Sequence, residues 1–240
     1  MSSDKNAVFP RKIRSYVTRG GRISKSQQRA FDELSDRYCI PFTPQCVDFS
    51  IFFGRTFREN AGPDIIIEVG FGMGIATAKI AQNNPKNYYI CIEVFKAGIG
   101  KLLSEIRDRN LRNVRIIAHD ASEVFLQMAP DASLSGIHVF FPDPWPKKRH
   151  HKRRLIKPPF LNLACAKLKP GGYFYAVSDW DSYAAEILAA CNHEELLTNP
   201  YKTSGNGGYA LPISWRPRTR FEEKGMNLNH AIREIFFIKI

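Results

Sequence analysis

Ile65-Ile66-Ile67-Glu68-Val69-Gly70-Phe71-Gly72-Met73-Gly74 decides the fold. The apolar run at its start reads as a buried strand. The three glycines that follow let the backbone turn sharply and approach a ligand closely. Their spacing is informative. A dinucleotide fingerprint needs G-x-G-x-x-G/A, and counting from Gly70 puts Ile75 at the third site. The loop also lacks the Gly-Lys-Ser/Thr ending of a P-loop.

Moving outward, the pattern predicts a helix from Ile75 to Gln82, a strand from Tyr88 to Glu93 and a helix from Lys96 to Arg109. A strand from Val114 to Ala118, a short helix from Ser122 to Met128 and a strand from Ile137 to Phe141 follow. Pro159 to Leu168 reads as a helix, Lys169-Pro170-Gly171-Gly172 as a stop and turn, Tyr173 to Ser178 as a strand, Tyr183 to Cys191 as a helix and Ile232 to Ile240 as a closing strand. Strands alternating with helices argue for an α/β fold, a mostly parallel sheet covered by helices on both faces. Such sheets bind ligands beyond the carboxyl ends of their strands. Upstream, Ser26 to Tyr38 has the makings of a short helix. Residues 1–25 form an expected basic arm, with Arg11, Lys12, Arg14, Arg19, Arg22 and Lys25 against Asp4. Residues 26–240 are expected to make one domain.

Carboxylates stand at successive strand ends. Glu93 ends the second strand, where an acid accepts hydrogen bonds from ribose hydroxyls. Asp120 follows the third strand, and Glu68 sits at the loop, where a carboxylate attracts a cationic ligand. The bland alternative is that each acid caps a helix or faces solvent. The E-x-G-x-G-x-G form resembles the first motif of the Rossmann-like S-adenosylmethionine-dependent methyltransferases. That resemblance implies cofactor contacts from Glu68, Gly70, Gly72, Gly74 and Glu93, with Asp120 meeting the adenine amino group.

The richest stretch follows the fourth strand: Phe140-Phe141-Pro142-Asp143-Pro144-Trp145-Pro146-Lys147-Lys148-Arg149-His150-His151-Lys152-Arg153-Arg154. Prolines stiffen it and limit ordering losses on binding. Asp143 belongs near the reacting group. The basic run that follows carries no acid, and phosphates are its natural counterpart. The whole chain agrees: 35 Lys and Arg against 23 Asp and Glu give a formal charge of +12. Such a balance favours a polyanionic partner.

Five cysteines, with no CxxC pair, suit a reduced, cytoplasmic protein. Adjacent His150 and His151 within a cationic run are poorly placed for a dication, so no metal is expected. No apolar stretch is long enough for a bilayer, so no membrane role is expected.

Pro142 to His150 resembles the signature of the bacterial tRNA (guanine-N7)-methyltransferases. Arg19-Gly20-Gly21-Arg22-Ile23-Ser24 with Gln27 and Ala30 resembles that family's basic N-terminal region, and Thr219-Arg220-Phe221-Glu222, followed by Lys224-Gly225, its C-terminal T-x-F-E motif. The similarity runs from about Tyr16 to the C-terminus. It implies methyl transfer from S-adenosylmethionine to N7 of a guanine in the variable loop of tRNA. It implies that Asp143 is the central catalytic acid, also near the cofactor. Lys147, Asp179, Thr219, Arg220, Phe221 and Glu222 are implied to meet the substrate, and Arg149, His150, His151, Lys152, Arg153 and Arg154 to meet RNA. Asp179 also follows the fifth strand, where its bland reading is a helix N-cap. Other acceptors, or an RNA-binding module without catalysis, stay open from the residues alone.

Overall fold

The computed structural model describes residues 13–17, 22–54 and 64–240, with the side chains of Arg220 and Lys224 excepted. Residues 1–12 and 18–21 of the expected arm, Arg11, Lys12 and Arg19 among them, lie outside the described residues.

Helix α1 (Lys25–Tyr38) starts at a capping box, in which Ser24 Oγ accepts from Gln27 N and Gln27 Oε1 accepts from Ser24 N. Then come β1 (Ile65–Val69), α2 (Ile75–Asn83), β2 (Tyr88–Ile92), α3 (Lys96–Asp108), β3 (Val114–Ile117), α4 (Ala121–Gln127) and β4 (Leu134–Phe140). The chain continues through α5 (Pro158–Lys167), β5 (Leu168–Ser178), α6 (Asp181–His193), β6 (Leu197–Thr198), α7 (Arg220–Asn227) and β7 (Arg233–Lys239). The strands form one sheet in the order β3-β2-β1-β4-β5-β7-β6. Strands β1 to β5 run parallel, and β7 runs antiparallel to both β5 and β6.

All five residues of β1 are buried, because helices cover both faces of the sheet. Ile65, Ile67 and Val69 join the core beneath α4, α5 and α6. Ile66 joins the core beneath α1, α2 and α3. Glu68 shares that second face, since side chains alternate along a strand. The order reverses at β1, which has β2 on one side and β4 on the other. This is the switch point at which open α/β sheets leave a crevice.

One expectation needs correction. Lys169 to Gly172 is no turn: β5 begins at Leu168, which pairs with Leu134, and the register then shifts to Gly136↔Tyr173. A Cβ on Gly172 would lie 2.9 Å from Leu134 O, so the missing side chain lets the strands stay together through this irregularity. Helix α7, not predicted, carries its own signal in Thr219-x-x-Glu222, a capping box with both reciprocal bonds present. Among the described residues, no helix is long and apolar enough to cross a membrane.

Candidate active site at the carboxyl end of the sheet

Gly70, Gly72 and Gly74 all adopt the left-handed conformation, with φ of 73°, 57° and 70°. A Cβ on Gly70 or Gly72 would meet nothing within 4 Å, because the loop faces open space. At Gly74 it would lie 2.7 Å from Leu102 Cβ, so this glycine lets α2 start close against α3. The loop rests directly on α3: a Cβ on Gly98 would come 2.0 Å from Gly72 O. Gly98 was not singled out in the sequence, because its demand arises only from this packing.

A cavity of about 190 Å³ opens in front of the loop. Its walls come from the ends of β1 (Val69, Gly70), β2 (Ile92, Glu93) and β4 (Phe140 to Asp143), with His119 after β3. Ser15 and Tyr16 line one side, so part of the expected arm belongs to the site wall. Glu93 holds the region together: Oε2 accepts from Gly72 N at 2.9 Å, and Oε1 from Val94 N at 2.8 Å and Phe95 N at 3.1 Å. Burial raises its pKa against those hydrogen bonds, and nearby Asp143 raises it further.

The other acids divide by environment. Glu68 lies beneath the loop, not in the cavity wall. Its Oε1 accepts from Thr77 Oγ1 at 3.0 Å, while Oε2 is buried without a hydrogen-bond partner. Burial pushes its carboxyl up to about 7. Asp120 is the N-cap of α4, Oδ1 accepting from Ser122 N at 2.8 Å and Glu123 N at 3.4 Å. The bland reading of Asp120 is thus realised, next to the cavity-lining His119 and Ala121. Asp179 is not a cap; Trp180 occupies that position before α6.

Asp143 is exposed at the cavity mouth. Its turn is bracketed by Phe141 and Trp145, non-glycine residues at φ of 50° and 48°. Such conformations cost of order 1 kcal/mol each and persist where surroundings hold them. Here Phe141 N donates to Val177 O at 2.8 Å, and Trp145 Nε1 to Ser15 O at 3.1 Å. The Arg153 guanidinium lies 4.9 Å over the Trp145 ring. Trp145 therefore packs locally.

The basic run forms a 3-10 helix over Lys148–Arg153. Lys147, Lys148, Arg149 and Lys152 are exposed, and His150, His151 and Arg153 half-buried. Arg154 departs from the expected RNA-facing strip. Its side chain has no exposed surface. Nε donates to Pro144 O at 2.8 Å, Nη1 lies 2.6 Å from Glu186 Oε1, and the guanidinium sits 4.7 Å over the Tyr183 ring. It braces the Asp143 turn from inside, and no phosphate can reach it.

Asp179 follows β5, the neighbour of β4, so Asp143 and Asp179 emerge from adjacent parallel strands. Helix α7 packs here, with Gly225 against Asp179. Thr219 caps α7 and Phe221 is exposed. Glu222 departs from a substrate-facing role: it is buried, and its oxygens accept from Arg216 Nη1 at 2.7 Å and Nη2 at 3.0 Å. Arg220 opens the helix.

A family model described as "Putative methyltransferase" matches residues 63–235. A tRNA (guanine-N(7)-)-methyltransferase of Nitrosomonas europaea is 48% identical over 227 residues, covering 95% of this chain and 96% of its own. One from Ralstonia pickettii is 46% identical over 230 residues, covering 96% and 86%. Among solved structures, the 16S rRNA methyltransferase KamB superposes with a TM-score of 0.50 at 15% identity, covering 93% of this chain and 99% of that one. An rRNA methylase from Streptococcus thermophilus gives 0.50 at 12% identity, with 74% and 87% covered. These two likenesses concern the fold alone.

Proposed function

The chain belongs to the tRNA (guanine-N(7)-)-methyltransferase family, and from that premise we propose how its residues transfer a methyl group from S-adenosylmethionine to N7 of a guanine in tRNA. The observation that carries the proposal is the cavity at the β1/β4 switch point, where the glycine loop, Glu93 and Asp143 meet. The acceptor, as the resemblance of the Pro142 to His150 signature implies, is the variable-loop guanine.

The residues present fit the cofactor. Gly70 and Gly72 leave room for it, Glu93 stands at the ribose position, and the partnerless Glu68 Oε2 lies beneath the loop. Asp120 spends Oδ1 on its cap and keeps Oδ2 for the adenine amino group. When bound, S-adenosylmethionine supplies an electrophilic methyl on a cationic sulfur. N7 of neutral guanine has a free lone pair, so no residue needs to remove a proton before attack. Asp143 accordingly acts by accepting guanine's ring or amino hydrogens and by stabilising the positive charge that develops on the base. Asp179 and Thr219, with the exposed Phe221, orient the base from the neighbouring strand and α7. Lys147 and the exposed part of the basic strip hold phosphates.

The identifying experiment is nuclease digestion and mass spectrometry of tRNA methylated by the purified protein. A product other than 7-methylguanine overturns the reading. A tRNA acceptor and five free thiols support a cytoplasmic setting, where thiols stay reduced. Residues 1–25 are read as a basic extension of a single domain, and Ser15 and Tyr16 within it also line the cavity.

Glu68 makes cofactor binding pH-dependent. Its folded pKa, about 7, is above the ordinary carboxylate value. In the free protein, its protonated form therefore contributes about 3 kcal/mol below pH 4.5, lost as pH rises through 7. A cationic ligand favours the ionised form instead. Affinity for S-adenosylmethionine is expected to rise about tenfold between pH 6 and pH 8, and Glu68→Gln to flatten that dependence in calorimetry. A wild-type affinity independent of pH excludes this role.

The two terminal arginines of the strip should respond differently. Arg153→Ala is expected to weaken tRNA binding several-fold and lower the slope of log affinity against log salt by about one. Arg154→Ala is expected to lower stability by about 2 kcal/mol, read by urea unfolding, because it removes an internal brace. Equal stability of the two variants contradicts the assignment.

A further inference from the structure

Arg216 has no part in the chemistry above, yet it is one of the most heavily engaged side chains in the molecule. It is 4% exposed. Nε donates to Tyr175 Oη at 2.9 Å, Nη1 and Nη2 grip Glu222, and Nη2 also donates to Glu234 Oε1 at 2.6 Å. Tyr175 Oη donates to Glu234 Oε2, which also accepts from Ile213 N at 3.1 Å. One guanidinium thus ties two carboxylates and a phenol drawn from α7, β7 and β5.

Stability alone is a poor explanation for such a network. Replacing a buried ion cluster with apolar side chains of similar volume is often neutral or stabilising. What the planar fork of arginine supplies is one defined geometry. On one side it holds Tyr175 and Glu234, fixed in the sheet. On the other it holds Glu222, the third residue of α7, which Thr219 caps reciprocally. The helix is set in place at its N-terminus. One turn on, it meets Asp179 without slack: a Cβ on Gly225 would lie 3.2 Å from Asp179 Oδ2 and 3.3 Å from Asp179 Cβ.

We propose that Arg216 is a positioning residue for the acceptor guanine, holding α7 so that Thr219 and Asp179 keep a fixed place beside Asp143. The proposal rests on the reading that Asp179 and the start of α7 orient the base. It also explains why Glu222 faces inward: the motif's glutamate acts through the helix it anchors.

Two variants test it. Arg216→Lys keeps the charge and loses the fork. Gly225→Ala leaves the network intact and favours the helix, but presses a methyl group on Asp179. Both are expected to bind S-adenosylhomocysteine within about twofold of wild type by calorimetry. Both are expected to lose at least about tenfold in kcat on tRNA, with a smaller change in KM, because misplacing a reacting group is costly while phosphate contacts persist. The Tm of Gly225→Ala should equal or exceed that of wild type. If Arg216→Lys fails to fold, Gly225→Ala decides alone. A wild-type kcat for Gly225→Ala, against an active wild type, overturns the inference while leaving the functional reading intact. Absence of 7-methylguanine from the wild-type reaction overturns both.

Discussion

Replacing Asp143 with alanine is expected to lower kcat about 100- to 1,000-fold, the loss seen when one preorganised charge-stabilising group is removed. The reasons are local. Asp143 stands at the mouth of the cavity on a turn bracketed by two left-handed aromatic residues, so the backbone that carries its carboxylate is held in place. Arg154 supports the same turn through Pro144 O. The cofactor wall, by contrast, is built on Glu93 and the glycine loop, which do not depend on Asp143 for their hydrogen bonds. Affinity for S-adenosylhomocysteine should therefore change by no more than a few-fold. Loss of the Asp143 charge also removes one cause of the raised Glu93 pKa, so any shift should leave Glu93 more readily ionised. Asp143→Asn, which keeps an acceptor but no charge, should fall between wild type and alanine. Single-turnover methylation of tRNA with saturating cofactor checks this. A rate for Asp143→Ala near that of wild type removes Asp143 from the chemistry.

Gly98→Ala is expected to weaken cofactor binding about 10- to 100-fold, although residue 98 does not itself line the cavity. Alanine is favoured over glycine within a helix by about 1 kcal/mol, so on local grounds the change should stabilise. Packing reverses the sign. The added methyl would lie 2.0 Å from Gly72 O, a backbone atom in the middle of the loop. Either α3 or the loop must move, at a cost of about 1 to 3 kcal/mol typical of overpacking. Movement of the loop breaks the Gly72 N bond to Glu93 and spoils the cradle. Gly100→Ala makes a control on the same helix. Its methyl would meet Gln27 O at 2.6 Å, in α1, so it should lower Tm yet spare cofactor affinity. Calorimetric titration with S-adenosylhomocysteine separates the two. Equal affinities for both variants reject a loop-specific role for Gly98.

Much of this molecule is legible in local sequence. The strand at Ile65 to Val69, the left-handed turns at Gly70, Gly72 and Gly74, and Asp143 beyond β4 follow from hydrophobic periodicity and glycine chemistry, which need no distant partner. The similarity to relatives at 46 to 48% identity supplies the acceptor, which no cavity wall spells out. Helix α7 was also within reach, since Thr219-x-x-Glu222 is a capping pattern.

The direction of individual side chains was not. Glu68 and Glu93 look alike in sequence, yet one lies beneath the loop and the other in the cavity wall. Arg153 and Arg154 are adjacent in a uniform basic run, but Glu186 and Tyr183, on α6, draw only Arg154 inside. Glu222 turns inward because Arg216 is fixed by Tyr175 and Glu234, from two different strands. Sequence by itself determined the sheet, the loop and the order of acids along it, because those depend on neighbours a few residues away. Only the tertiary structure decided which acid lines the cavity, which arginine is drawn inside and which glycine lies against a neighbouring backbone, because those depend on contacts between elements far apart in the chain.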